Sequence, residues 1–181
     1  MGEYFIKVLD STEYDRWDKF VDLSPQGTIF HKSYWLKASE VEFKVYGCFN
    51  GDDLIGGLPL AYKSLFGITR ATQPPFTPYC GILYRNSTAK YVSRISDEKR
   101  IATLMAKRIK KDFQIINFRF APSVTDLQPF IWEGFSSSVE YTYFLDVNNL
   151  ILPLMLIWLT ILSPYCSASP DFTWTNPATA T

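Results

Sequence analysis

Three prolines fall within five residues in Gln73-Pro-Pro-Phe-Thr-Pro-Tyr-Cys-Gly-Ile-Leu-Tyr84. None can donate a backbone hydrogen bond, each holds its φ at about −65°, and each pushes the preceding residue toward extended geometry. Gly81 then permits a close backbone approach or a bulge, and Ile82-Leu83-Tyr84 reads as the body of a buried strand. A stiff, donor-poor, aromatic lead-in thus delivers Tyr79 and Gly81 to the start of a strand. Two roles stay open for it: the wall of a binding site, or a rigid loop with a packing task.

The flanking patterns supply the rest of the architecture. Glu3–Leu9 alternates as a first strand. Ser11 is a cap for a helix over Glu13–Leu23, in which Tyr14, Trp17, Phe20 and Val21 recur at helical spacing. Ser24-Pro25-Gln26-Gly27 is a turn. Ser33 caps a second helix carrying Trp35, Leu36 and Val41. Phe43–Asn50 and Leu54–Tyr62 flank the turn Asn50-Gly51-Asp52-Asp53 and read as a hairpin. A short strand is expected within Lys63–Thr72. Ser96–Asp112 is the clearest helix, with Ile101, Leu104, Met105 and Ile109 on one face and Glu98, Lys99, Arg100, Lys107, Lys110 and Lys111 on a solvated one. Gln114–Phe120 alternates as a strand, Asp126–Trp132 is a short helix or turn, and Glu140–Val147 is a last strand. An antiparallel hairpin followed by strands alternating with a helix predicts an α/β (α+β) fold: a mixed, largely antiparallel sheet with helices on both faces.

At 181 residues the chain can build one good core but not two full domains. Its 18 basic and 18 acidic residues cancel, so no electrostatic footprint for bulk nucleic-acid binding exists. Cys48, Cys80 and Cys166 are odd in number and lie far apart, which argues against a disulfide scaffold and a zinc site. A reducing, cytoplasmic compartment is the simplest reading. The first residues lack the basic and apolar regions of a signal peptide.

Composition changes near residue 149. Leu150–Leu162 is a 13-residue run, nearly all apolar, and the 35 residues after Asp146 contain a single charge, Asp171. A membrane span needs about 20 apolar residues. The expected organisation is therefore a folded domain over 1–149 and a tail over 150–181. That tail reads as non-native sequence beyond a disrupted reading frame, as a core helix, or as a membrane anchor over 150–162.

Little chemistry is visible in motifs. No G-x-S-x-G, P-loop or G-x-G-x-x-G occurs. His31, the only histidine, is a general-base candidate, although a capping or packing role suits its place before a helix better. Cys80 reads as a small buried hydrophobe rather than a reactive thiol. Lys37 and Arg85 could meet a phosphate or stand in solvent. Tyr79 could orient a substrate through its hydroxyl or stack in the core.

Four segments, in this order, carry a resemblance. They are Ser24–Trp35, the hairpin Phe49–Leu60, the segment Pro75–Tyr84, and Trp132-Glu-Gly-Phe with Tyr141-Thr-Tyr-Phe-Leu-Asp146. Their order and spacing over roughly residues 4 to 149 resemble the first half of Fem-type peptidyl or aminoacyl transferases and related acyltransferases of the GNAT superfamily. The resemblance implies two GNAT-like domains in tandem, of which this chain holds the first, and transfer of an acyl or aminoacyl group to an amine. It implies a small-molecule or cell-wall-precursor-like substrate and an activated donor, acyl-CoA or aminoacyl-tRNA, with no tightly held cofactor. It places Lys37, just after Trp35, at the diphosphate of a nucleotide-linked precursor, and sets Trp35, Tyr79, Gly81 and Arg85 along the cleft. The usual pyrophosphate loop of acetyl-CoA-dependent GNAT enzymes is missing, and no catalytic residue is assigned. The same cleft could also hold a ligand without turnover.

Overall fold

The computed structural model describes residues 3–141. The chain divides into two units, Met1–Ser138 and Val139–Thr181, and the architecture below is that of the first. In order come β1 (Tyr4–Leu9), α1 (Tyr14–Leu23), α2 (Ser33–Ala38), β2 (Phe43–Asn50), β3 (Asp53–Leu65), β4 (Ile68–Thr72), β5 (Leu83–Tyr84), α3 (Tyr91–Asp112), β6 (Ile115–Ile116) and α4 (Gln128–Trp132). The strands form one sheet in the order β1-β2-β3-β4-β6, with β5 paired to β3 beside that path. Every pairing is antiparallel except β4 with β6. The expected mixed, largely antiparallel α/β (α+β) sheet is the one that forms.

Helices cover both faces, and β2 shows why. Successive strand side chains point to opposite faces. Tyr46 and Cys48 join Ile101, Met105 and Ile109 of α3 in one core. Val45 and Phe49 join Trp17, Phe20 and Val21 of α1 and Leu36 of α2 in the other. The adjacent glycines of β3 allow both helices to approach. A Cβ on Gly56 would lie 2.7 Å from Ile101 Cγ2, and one on Gly57 would lie 2.3 Å from Trp17 Cζ3. The register between β2 and β3 shifts at Cys48/Phe49, which pair with Gly56 and Leu54. The skipped Ile55 is an extra residue on β3, so Ile55 and Gly56 both serve the α3 side.

Helix starts differ from expectation in instructive ways. Asp10, not Ser11, caps the first helical segment, whose opening turn Ser11–Glu13 is 3-10. Its carboxylate accepts from Thr12 N, and Glu13 reaches back to Asp10 N in a capping box. Ser33 is the first residue of α2 rather than its cap. Asp18 of α1 supplies the acceptors: Ser33 N donates to Oδ1 and Ser33 Oγ to Oδ2, each at 2.7 Å. This carboxylate locks the two helices together. Val41 lies beyond the end of α2. Helix α3 begins at Tyr91 rather than Ser96, and its first turn holds Tyr91 and Val92 in solvent, off the apolar face that the periodicity detects.

The strand expected over Gln114–Phe120 keeps only Ile115–Ile116 in the ladder. Asn117 N still donates to Ala71 O at 3.0 Å, but beyond that the neighbouring chain is Gln73-Pro74-Pro75, which cannot continue a ladder. The expected strand over 140–147, save its first two residues, and the run and tail over 150–181 lie outside the described residues. Among the described residues no helix is long and apolar enough to cross a membrane.

The contact between Gly57 and Trp17 is testable. Gly57→Ala overpacks a site with no free volume and should cost about 2 kcal/mol in urea unfolding. Two of the three clashing atoms, Cζ3 and Cη2, belong to the indole ring, and the third is the Tyr46 carbonyl oxygen at 2.9 Å. Trp17→Phe should therefore relieve the larger part of the clash, and a double-mutant cycle should show Gly57→Ala costing less, though still something, in that background.

Candidate functional site

The proline-rich lead-in is held by one amide. Gln73 Nε2 donates to Thr77 O at 2.7 Å and Pro78 O at 3.1 Å, and Gln73 Oε1 accepts from Arg119 N at 2.8 Å. The side chain thereby supplies donors in a stretch where proline removes them. Thr77 Oγ1 donates to Pro75 O and accepts from Trp35 Nε1 at 2.9 Å. The Phe30 ring packs edge-on to Trp35 at 5.2 Å and to Tyr79 at 5.6 Å. Trp35 and Tyr79, expected along one wall, thus meet through Phe30 and the lead-in.

Gly81 and His31 belong to the same region but face inward. A Cβ on Gly81 would sit 2.9 Å from Phe120 Cα, so a side chain there would push the two segments apart. His31 is fully buried. Its Nδ1 lies 2.9 Å from Thr28 Oγ1, its carbonyl accepts from Trp17 Nε1 at 2.7 Å, and its Nε2 has no hydrogen-bond partner. Burial pushes its pKa down to about 4, outweighing the backbone of Thr28 and Gly81, which favours the proton. At neutral pH the imidazole is uncharged and packed, as the packing role anticipates. Cys80 is likewise fully buried, its Sγ against Pro59 O at 3.5 Å, and burial pushes its thiol far up.

The opening itself lies at the far end of β5. A cleft of about 290 Å³ is bounded by Gln26, Tyr84, Arg85, the first turns of α3 from Tyr91 to Lys99, and the loop 123–126. Three local features shape it. Gln26 Oε1 accepts from Tyr84 N at 3.2 Å and fixes the strand end to the 24–27 turn. Lys90, the residue before α3, provides no side-chain cap, so the positive end of the helix is left without a side-chain acceptor. Two ion pairs border the cleft, Arg94 with Glu98 at 3.7 Å and Lys99 with Asp126 at 3.3 Å, while Arg85 reaches from its wall to Asp53, outside the lining, at 3.6 Å.

Glu98 is the unusual member. Desolvation raises its pKa, Arg94 lowers it, and Asp126 raises it again. Tyr84, almost fully buried, is pushed up by burial and then by Glu98 and Asp126. A carboxylate with a raised pKa beside cations and an uncapped helix start can take a proton from one group while an anionic group is held nearby.

Among the residues singled out from sequence, Arg85 lines this cleft. Lys37 does not; it is exposed on α2 with its Nζ 5.0 Å from the Tyr14 ring centroid. Trp35, Tyr79 and Gly81 are not among the lining residues either. Glu98 and Asp126 escaped sequence reading because their charges looked like an ordinary solvated helix face and loop, and Arg94 because it fell before the expected helix start at Ser96. The i,i+4 spacing of Arg94 and Glu98 was the available signal. Among the described residues no cluster of His, Cys, Asp and Glu is placed to hold a metal.

Neither a scan of protein-family models nor a search of curated proteins finds a match. Among solved structures, a transcriptional regulator from Bacillus halodurans is similar at TM-score 0.46 and 15% identity, covering 80% of this chain and 100% of that one. An aminoglycoside acetyltransferase from an uncultured soil metagenomic sample, in complex with trehalose, is similar at TM-score 0.45 and 16% identity, covering 79% and 97%. A predicted acetyltransferase with acetyl-CoA from Clostridium acetobutylicum is similar at TM-score 0.40 and 8% identity, covering 80% and 97%. Likenesses this distant do not bear on function, and the architecture rests on the sheet order and the two cores.

His31 gives a pH signature. The unfolded chain protonates this group near pH 6.5 and the folded chain near 4, so its contribution is whole above about 6.5 and is lost as pH falls toward 4. Unfolding free energy should drop by about 2 kcal/mol from this group between pH 7.5 and pH 5. His31→Gln should flatten that part of the profile, whatever its effect at neutral pH.

Proposed function

We propose that this chain is a GNAT-like domain of a Fem-related transferase that moves an acyl or aminoacyl group onto an amine. The observation that carries the reading is the cleft where β5 ends and α3 begins. It sets Arg85, Arg94 and an uncapped helix start around one opening, with the half-buried Glu98 at its wall. The basic groups and helix end suit the phosphates of an activated donor such as acyl-CoA. Glu98 suits the acceptor. It takes the proton as the amine nitrogen attacks the acyl carbonyl, the new C–N bond forms, and the bond to the donor's sulfur breaks with the electron pair leaving on sulfur. Such chemistry needs positioning and a poised base but no covalent nucleophile.

Lys37 belongs to the finer reading, in which the acceptor is a nucleotide-linked cell-wall precursor. It stands outside the cleft on an exposed helix face, so its proposed partner is the precursor's diphosphate rather than the donor.

Acetyl-CoA titrated into the protein and monitored by calorimetry tests the donor site. Arg94→Ala should weaken binding about tenfold with an unchanged melting temperature. Glu98→Gln should keep the affinity and lower transfer to a model amine by about 100-fold. Absence of binding, or variants indistinguishable from the parent, would remove the reading. For the acceptor, Lys37→Ala should weaken binding of a UDP-linked precursor without changing stability, and equal affinity would withdraw Lys37.

A further inference from the structure

The hairpin joining β3 to β4 carries a surface that the transfer chemistry does not use. Leu65 pairs with Ile68 and Lys63 with Arg70 across the ladder, and Arg70 pairs in turn with Ile115 of β6. Paired residues, and residues two apart on one strand, share a face. One face therefore presents Leu65, Ile68 and Ile115, which are 67%, 51% and 47% exposed, with Lys63 and Arg70 set one rung behind the tip. Phe66 crowns the turn at 95% exposure.

Two features of this surface are unfavourable in the isolated chain. Lys63 and Arg70 stand directly opposite each other, and neither makes an ion pair among the described residues. Like charges in that position repel. Phe66 has φ 51° and Gly67 φ 79°, the two left-handed positions of a two-residue turn that favours Asn-Gly. Backbone strain and solvent both ask for a small polar residue at 66, and phenylalanine satisfies neither. The hairpin between β2 and β3, by contrast, turns through Asn50-Gly51-Asp52-Asp53.

We infer that this hairpin docks on an anionic lipid surface, with Leu65, Phe66 and Ile68 entering the headgroup–acyl boundary and Lys63 and Arg70 meeting lipid phosphates. The spacing fits. The cation rung lies two residues, or about 7 Å, behind the apolar rung, and interfacial apolar groups enter about 5–10 Å. Anionic headgroups supply the counter-charge that the Lys63–Arg70 rung lacks. This surface stands independently of the transferase reading and of the 150–162 run.

The test is sedimentation of the full chain with vesicles of phosphatidylcholine alone and of phosphatidylcholine with 30% phosphatidylglycerol. Binding should require the anionic lipid and weaken with salt. Phe66→Asn suits the turn better, so it should leave the melting temperature unchanged or higher while lowering vesicle binding by about tenfold. Lys63→Ala with Arg70→Ala should lower it by about 30-fold, the product of ~1 kcal/mol for each cation removed. No binding to anionic vesicles would overturn the inference. So would equal binding to neutral vesicles, or variants that bind as the parent does, which would assign the affinity to another part of the chain.

Discussion

The fold depends on two adjacent residues without side chains. Gly56 and Gly57 face opposite sides of β3, and each admits one helix: Ile101 of α3 rests on the first and Trp17 of α1 on the second. Interiors are packed near crystal density, so these contacts set how close each helical layer lies. Trp17 carries the constraint outward. Its indole N–H holds the His31 carbonyl, which anchors the segment leading into α2. On the other face, Tyr46 donates to Asp112 at 2.9 Å, and Arg108 shares that carboxylate, tying the end of α3 to the central strands. The start of α3 is left free to form the rim of a cleft.

A gap in the sheet makes that cleft possible. β3 pairs with β5 at Gly56 and Gly57 and with β4 from Ala61 onward. Pro59, which has no N–H to give, sits in the interval, and Cys80 fills it from the side. The chain reaches Cys80 through a lead-in whose carbonyls are satisfied by the Gln73 side chain instead of a ladder. Because β5 is thus separated from β4, its end delivers Tyr84 and Arg85 beside α3 rather than into another strand. A regular sheet edge would close the space that Arg85, Arg94 and Glu98 now border.

Periodicity made the layers legible in the sequence, because the hairpin of β2 and β3 and the inner face of α3 carry their apolar residues at strand and helix spacing. The stiffness of Gln73–Tyr84 was legible too, since proline geometry is local. What could not be read was anything settled by a distant partner. Asp18 capping α2 from α1 looks in sequence like one more surface acid, and Ser33 looks like the cap itself. Glu98 looks solvated until Asp126 and Tyr84 are seen across from it. The place of Lys37 over the Tyr14 ring, outside the cleft, is likewise set by a partner on another helix.

The electrostatics of the cleft link its two proposed roles. Arg94 is the one neighbour that lowers the pKa of Glu98, and it does so across a loose 3.7 Å contact. A phosphate held at the start of α3 would compete for that guanidinium. As Arg94 turns toward the phosphate, Glu98 loses its stabilising cation and gains a nearby anion, and both changes raise its pKa further. In the proposed donor complex the carboxylate would then be a stronger base. Desolvation by that donor would work in the same direction, so burial and charge share one sign.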